Sequence, residues 1–131
     1  MALPRLPGST DQKVRAMAGG RFVLGALCLL APTLVLRLLG FPERSTTAKT
    51  FARMLGVRDV AVGLLILATR DGGGTHKRAL QVAGLVDVGD LAAITLAGLR
   101  DPALRKAAAR NVPFAGGSAL TSFLVADEVG A

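Results

Sequence analysis

Four ionisable residues lie in parts of the chain that are otherwise apolar. Arg58 and Asp59 stand side by side in the run FARMLGVRDVAVGLLILA, and Asp87 and Asp90 lie in a second apolar run at 80–99. Charged groups in such surroundings are costly unless they pair with one another. A protonated carboxylic acid beside an ionised carboxylate and an arginine forms an acid–base set. These four side chains are therefore the candidate catalytic residues.

The charges of this group do not balance. Arg58 supplies one positive charge against three carboxylates, so two negative charges lack a partner unless Arg21 or Arg53 also reaches inward. Carboxylates that lie close together in a low-dielectric site share protons. The alternative is that the charges form a structural ion-pair network that only holds two helices together.

Long apolar runs separated by polar connections predict an all-α fold, a four-helix transmembrane bundle in one domain over residues 1–131. About 20 apolar residues suffice to cross a bilayer, and an even number of spans puts both termini on the same side. Pro32 is expected to kink the first helix, and the glycine run 72–74 predicts a turn. The predicted helices span residues 17–39, 51–69, 79–99 and 107–126.

The helical rise places the ionisable residues in one layer. Measured from the connection 70–78, Asp59, Asp87 and Asp90 lie about 15, 12 and 17 Å along their helices. The small residues Gly56 and Gly63 share a face with Asp59, which favours the close approach of another helix. Five further residues with polar groups or on the inward faces are candidate substrate-binding residues: Cys28, Arg53, Asn111, Ser118 and Thr121.

Some of these residues also have a simpler interpretation. A lone buried cysteine such as Cys28 usually packs as a small hydrophobic side chain. The hydroxyl groups of Ser118 and Thr121 commonly bond a carbonyl of their own helix. The single histidine, His76, is expected to be solvated in the connection between two helices.

Composition favours a membrane protein. Hydrophobic residues make up 51% of the chain and charged residues 19%, and the mean hydropathy is +0.49. The net charge is +7, but the basic residues flank apolar runs and the only aromatic residues are five phenylalanines. This pattern fits anionic lipid head groups better than nucleic acid. A lone cysteine, a lone histidine and the lack of a cofactor motif predict that no metal and no cofactor are needed.

The basic residues divide almost equally between the two ends of the predicted bundle, so the sequence leaves the membrane orientation open. One end holds Arg5, Lys13, Arg15, Arg21, Arg70, Lys77 and Arg78, and the other holds Arg37, Arg44, Lys49, Arg53, Arg100, Arg105, Lys106 and Arg110.

The segment from Arg53 to Leu64 reads R-x-x-G-x-R-D-x-x-x-G-L. It follows an apolar helix that ends at Ala31-Pro32 and precedes a third helix that contains aspartate. In these features the chain resembles the small four-helix membrane proteins of domain of unknown function family 4267, which are distantly similar to DoxX-like membrane proteins. The resemblance covers residues 20–124. It implies a four-helix integral membrane fold and no particular activity.

These features lead to the hypothesis of a multi-pass plasma-membrane protein that binds a lipophilic small molecule. Asp59, Asp87 and Asp90 would perform acid–base chemistry, and Arg58 would orient the substrate or stabilise charge. Hydration, cyclisation or isomerisation of an epoxide needs only such groups. The alternatives are proton-coupled transport and a structural or accessory subunit of a membrane complex, and assembly as a homo-oligomer stays open. A soluble helical bundle is a fourth alternative.

Overall fold

The computed structural model describes residues 6–42 and 44–129, and every regular element in these ranges is helical. The all-α prediction is therefore confirmed for this part of the chain. Five α-helices follow one another, and a short 3-10 turn at Pro102–Leu104 precedes the last of them. They are α1 (Thr10–Leu30), α2 (Pro32–Leu38), α3 (Thr46–Ala68), α4 (Gly74–Arg100) and α5 (Arg105–Val129).

The first helix begins earlier than predicted because Ser9 caps it. The Ser9 hydroxyl accepts a hydrogen bond from the backbone of Gln12, and the Gln12 side chain accepts one from the backbone of Ser9. Such a reciprocal capping box satisfies two amide groups that a helix start otherwise leaves free. As a result, α1 starts at Thr10, whereas the sequence placed the start at residue 17.

Pro32 breaks the predicted first helix into two. It occupies the start of α2, where a proline lacks no needed donor, and the axes of α1 and α2 differ by 116°. The predicted kink at Pro32 is therefore a sharp turn, and the predicted helix 17–39 is two helices. α2 leads through the connection 39–45 into α3.

Two glycines set the packing of α1 on α3. A Cβ atom on Gly25 would lie 2.8 Å from the carbonyl oxygen of Gly56, and one on Gly56 would lie 2.7 Å from the carbonyl oxygen of Gly25. Only glycine permits such a close backbone approach. The small-residue face predicted for α3 is thus confirmed, and its partner is α1.

The helices form two closely packed pairs, α1 with α3 and α4 with α5, and the pairs touch each other far less. At one end an apolar core joins all four long helices, with Ala18, Ile66, Leu80 and Val125 among its buried members. At the same end, Lys13 near the start of α1 forms a 2.7 Å ion pair with Glu128 near the end of α5. Although α3 and α4 follow one another in the chain, each packs mainly on another helix.

His76 corrects another expectation. It lies in the first turn of α4 and is only 2% exposed, so it is not solvated. Its Nδ1 atom lies 3.2 Å from the hydroxyl oxygen of Thr69. That hydroxyl donates its hydrogen to the carbonyl of Leu65 at 2.8 Å, so it accepts from Nδ1. His76 therefore joins the turn between α3 and α4 to the core.

Length and composition identify one helix of the described chain, α4, that can cross a membrane. The bent pair α1–α2 makes a second candidate if the two helices count as one span. The four transmembrane spans predicted from the sequence are not confirmed by this criterion.

Candidate functional site

The centre of the molecule contains a chain of alternating acidic and basic side chains. Arg21 on α1 donates from Nη2 to Asp87 Oδ2 at 2.6 Å and from Nη1 to Asp59 Oδ1 at 3.4 Å. Arg58 on α3 donates to Asp90 Oδ1 at 2.6 Å and to Asp59 Oδ1 at 3.1 Å. The order is Asp90–Arg58–Asp59–Arg21–Asp87, and these five residues are called the Arg/Asp cluster below.

A fourth helix joins the cluster through a hydroxyl group. Ser118 on α5 donates from Oγ to Asp87 Oδ2 at 2.7 Å, so that oxygen receives hydrogen bonds from both Ser118 and Arg21. α1, α3, α4 and α5 are all connected at this level. Because the two helix pairs otherwise touch little, the cluster is a principal link between them.

The cluster is buried at one end and partly open at the other. The side chains of Arg21, Asp59 and Asp87 are 8%, 5% and 8% exposed, whereas those of Arg58 and Asp90 are 30% and 39% exposed. Desolvated ion pairs interact more strongly than exposed ones, but their burial is also costly. Asp90 is thus the carboxylate most accessible from outside the cluster.

Each carboxylate uses only one of its two oxygens in the cluster. Asp59 accepts at Oδ1, Asp87 at Oδ2 and Asp90 at Oδ1. Within residues 6–42 and 44–129, no donor reaches the second oxygen of any of the three, and Nε of Arg58 is buried without a partner. Two guanidinium groups face three carboxylates, so the cluster is one positive charge short of neutral.

A cavity of about 1050 Å³ lies beside the cluster, between the two helix pairs. Most of its wall is apolar, with side chains such as Leu24, Leu55, Ile94 and Phe114. The polar part of the wall is the Arg/Asp cluster together with a few side chains of α5. An apolar cavity with a few convergent polar groups is typical of a small-molecule site.

The structure brings most of the predicted site residues to this cavity. All four candidate catalytic residues, Arg58, Asp59, Asp87 and Asp90, belong to the cluster and line the cavity. The prediction that they occupy one layer agrees with these contacts. The cavity wall also includes four of the five candidate substrate-binding residues, namely Cys28, Asn111, Ser118 and Thr121.

Arg53 is the exception. Its side chain is exposed, and Nε donates to the carbonyl of Leu29 at 3.4 Å on the outer side of the α1–α3 pair. It is not part of the cavity wall. Arg53 lies about one and a half helical turns before Arg58, which places the two side chains on different faces of α3.

Two of the residues that line the cavity donate their side-chain hydrogen bonds to backbone carbonyls. The amide of Asn111 donates to the carbonyls of Leu39 and Ala107 at 3.0 and 2.7 Å, and so ties the connection after α2 to α5. The hydroxyl of Thr121 donates to Gly117 at 2.8 Å within its own helix. Ser118 is therefore the hydroxyl group of α5 that engages the cluster.

Arg21 is the site residue that the sequence did not place in the set. It was counted among the basic residues of one end, although an inward position was one of two ways to reduce the charge deficit. A signal was present, because Arg21, Gly25, Cys28 and Pro32 recur at helical spacing on one face of the first helix. The structure places Arg21 between Asp59 and Asp87.

The arrangement suits proton transfer. An unbonded carboxylate oxygen can take a proton from a neighbouring molecule, and a protonated carboxyl can donate one. The guanidinium groups orient the neighbouring carboxylates through charge-assisted hydrogen bonds. Within the described residues, no three His, Cys, Asp or Glu side chains are grouped so as to hold a metal ion.

Fold and site together define an all-helical protein with a buried Arg/Asp cluster in the wall of an apolar cavity. The chain belongs to the family described as Domain of unknown function (DUF4267), whose model matches residues 18–125. The matched region contains all five cluster residues. Comparison with curated proteins and with solved structures finds no match.

Proposed function

We propose that the protein is a multi-pass integral membrane protein of the plasma membrane that performs cofactor-free acid–base chemistry on a lipophilic small molecule. One observation carries the proposal. Three carboxylates, each with an oxygen that has no donor among the described residues, line a largely apolar cavity of about 1050 Å³. Such a wall suits a molecule that is mostly hydrocarbon and has one reactive polar group.

The outer surface supports membrane insertion. Large apolar side chains are exposed along the helices, including Leu30 at 86%, Leu85 at 62% and Leu99 at 75%. Only 22% of the most apolar stretch of α4 is buried inside the molecule. A soluble monomer rarely exposes so much contiguous apolar surface, whereas lipid tails cover it without penalty.

The cavity volume restricts the class of substrate. Pockets for small molecules range from about 300 to 1000 Å³, so this cavity is at the large end of that range. An isoprenoid-like chain fits a space of this size with Leu, Ile and Phe walls. Its polar group would lie at the cluster, where the walls change from apolar to charged.

The reaction that best fits the cluster is the opening of an epoxide. A protonated carboxyl gives its proton to the epoxide oxygen as one carbon–oxygen bond breaks. A water molecule forms the new carbon–oxygen bond, and a carboxylate takes the proton that water releases. The product is a diol, and the second carboxylate now holds the proton in place of the first. The proton returns from the second site to the first before the next turnover. If a hydroxyl of the substrate attacks in place of water, the product is a ring.

The charge balance of the cluster favours one bound proton, which is the proton that this reaction needs. Two guanidinium groups balance two of the three carboxylates, so the cluster becomes neutral when it holds one proton. Net charge in a low-dielectric site is unfavourable. Arg21 and Arg58 then hold the two ionised carboxylates in position, and the third serves as the acid.

The test uses the full chain in lipid nanodiscs with a long-chain alkyl epoxide and an isoprenoid epoxide, with diol or cyclic product measured by mass spectrometry. Asp59→Asn and Asp87→Asn should each lower turnover by about 100-fold or more, the usual contribution of a positioned acid or base. Asp127→Asn is the matched control, because Asp127 is exposed near the end of α5. Full activity in both cluster variants would refute the proposal.

A structural role of the cluster is the second candidate. It is favoured by the observation that every cluster residue takes part in an ion pair between different helices or within α3. In that case the doubly neutral variant Arg58→Met/Asp90→Asn would insert, fold and support the function of its complex as wild type does. The acid–base proposal expects this variant to be inactive although it is folded.

A further inference from the structure

One end of the molecule is strongly basic. It comprises α2, the connection to α3, the start of α3, and the junction between α4 and α5. Two distant parts of the chain meet here, because Arg110 on α5 donates to the carbonyl of Leu38, at the end of α2, at 2.9 Å. The basic end is defined by Arg37, Arg44, Lys49, Arg53, Arg100, Arg105, Lys106 and Arg110.

These charges have no acidic partners in the described ranges 6–42 and 44–129. Among the residues that the structure describes, the carboxylate at this end is Asp101, whose Oδ1 accepts from the backbone of Ala103 at 2.9 Å and which forms no ion pair. The opposite end differs, because its basic residues Lys13 and Arg15 pair with Glu128 and Asp11 at 2.7 and 2.8 Å. Ion pairs therefore offset part of the positive charge at the opposite end, whereas the described basic residues of the basic end form none.

The same end exposes apolar side chains beside its charges. α2 turns away from α1 by 116° and exposes Leu34 and Leu38 on either side of Arg37. A short helix that presents leucines together with arginine is suited to the boundary between lipid head groups and acyl chains. Leu99 beside Arg100 repeats this combination at the end of α4.

From this combination we infer that the basic end binds the head groups of anionic phospholipids. The inference rests on the membrane insertion proposed above and is independent of the acid–base chemistry. Uncompensated Lys and Arg residues near a membrane surface attract anionic lipids, and the neighbouring leucines insert below the head groups. Arg110 and Arg53 act within the protein, because their guanidinium groups donate to the carbonyls of Leu38 and Leu29, and the other basic side chains bind the lipid.

The experiment titrates the detergent-solubilised full chain with phosphatidylglycerol and with phosphatidylcholine and counts bound lipid by native mass spectrometry. The variant Arg100→Gln/Arg105→Gln/Lys106→Gln removes three charges that lie outside the cavity wall. The control variant Arg70→Gln/Lys77→Gln/Arg78→Gln removes three charges from the opposite end. A parallel titration adds excess inorganic phosphate at matched ionic strength.

Wild type and control should prefer phosphatidylglycerol, and the basic-end variant should bind it about fivefold more weakly for each charge removed. Equal affinity for the two lipids, or equal losses in both triple variants, would overturn the inference. Displacement of the lipid by inorganic phosphate would overturn it as well, since the surface would then be a phosphate site. Recovery of the chain in the aqueous fraction of lysed cells would instead refute the membrane insertion on which it rests.

Discussion

Arg21 is a buried arginine that pairs with carboxylates on two different helices. One guanidinium lies between Asp59 and Asp87 and also lies 3.4 Å from the carbonyl oxygen of Ala83. Without it, Arg58 would be the single cation of the cluster against three carboxylates. A buried ion pair is not itself strongly stabilising, but removal of one partner strands the other in a medium that solvates it poorly.

Replacement of Arg21 by methionine tests this role. Arg21→Met should destabilise the protein by about 3–5 kcal/mol, the usual effect of stranding a buried charge, as measured by thermal unfolding in detergent. Arg53→Met is the matched control, because Arg53 is exposed on the surface of α3 and a surface change is worth about 0.5 kcal/mol or less. In the Arg21→Met background, Asp87→Asn should restore part of the loss. Equal unfolding temperatures for the two arginine variants would contradict the charge argument.

The sequence predicted Arg58, Asp59, Asp87 and Asp90 as members of the cluster, but it predicted neither Arg21 nor the order of the contacts. Asp59, Asp87 and Asp90 were identified because charge is rare in apolar runs and because the helical rise puts them at one depth. Arg21 could not be assigned in this way, since its reach depends on the rotation of α1 about its own axis. That rotation is fixed by the contact of Gly25 with Gly56, which is a property of two helices together.

The order of the helix pairs follows from the same contact. Neighbours in sequence often pack together, but α3 and α4 do not form such a pair. Instead, the glycines of α1 and α3 allow their backbones to touch, and Gly84 on α4 accommodates the ring of Phe123 on α5. The space that remains between the two pairs is the cavity. The positions of the small residues along the helices therefore determine where a ligand could lie.

A methyl group at the contact between α1 and α3 should separate these helices. In Gly25→Ala the new Cβ would lie 2.7 Å from a methyl group of Val60 and 2.8 Å from the carbonyl oxygen of Gly56. The backbone oxygen cannot move without its helix, so we expect a loss of about 1–3 kcal/mol in unfolding free energy, typical of overpacking. Circular dichroism during thermal unfolding measures it.

Gly89→Ala provides the comparison for that experiment. Nothing lies within 4 Å of a Cβ atom at Gly89, on the exposed side of α4. Because alanine favours helix over glycine by about 1 kcal/mol, this variant should be as stable as wild type or more stable. If Gly25→Ala behaves in the same way, α1 and α3 are not held by the glycine contact.

The remaining differences between the predicted and the observed helices arise from local sequence signals and from tertiary packing. The early start of α1 was readable in the sequence, since Ser9 followed by Gln12 is a capping-box pattern. The burial of His76 could not be predicted from the sequence, because a polar residue after a glycine turn is usually solvated. It is buried here because the first turn of α4 packs against the end of α3 and places the ring beside Thr69.

At the scale of the whole molecule, the two ends of the bundle differ in both packing and charge. The end with the chain termini has an apolar core and ion pairs. The cavity extends to the basic end, with Leu39, Phe41, Leu104 and Asn111 in the wall. Under the function proposed above, a lipophilic ligand would approach the Arg/Asp cluster from the leaflet that contacts the basic end.

For the multi-pass membrane protein proposed above, this asymmetry also predicts an orientation. The sequence alone divided the basic residues nearly equally between the ends, but Arg21 belongs to the cluster and not to the terminal end. Cytoplasmic flanks of membrane spans carry the excess of Lys and Arg, and anionic lipid is concentrated in the cytoplasmic leaflet. We therefore expect the basic end to face the cytoplasm and the chain termini to face outward.

Cysteine labelling of intact cells with a membrane-impermeant maleimide measures this orientation. In a Cys28→Ala background, Thr75→Cys at the start of α4 should react in intact cells, whereas Ala103→Cys between α4 and α5 should react only after permeabilisation. Both positions are exposed on the protein and lie at opposite ends of α4. A difference in their labelling by the maleimide therefore reports on which side of the membrane each one lies. The reverse pattern would place the basic end outside, and the excess of uncompensated charge would then not determine the topology.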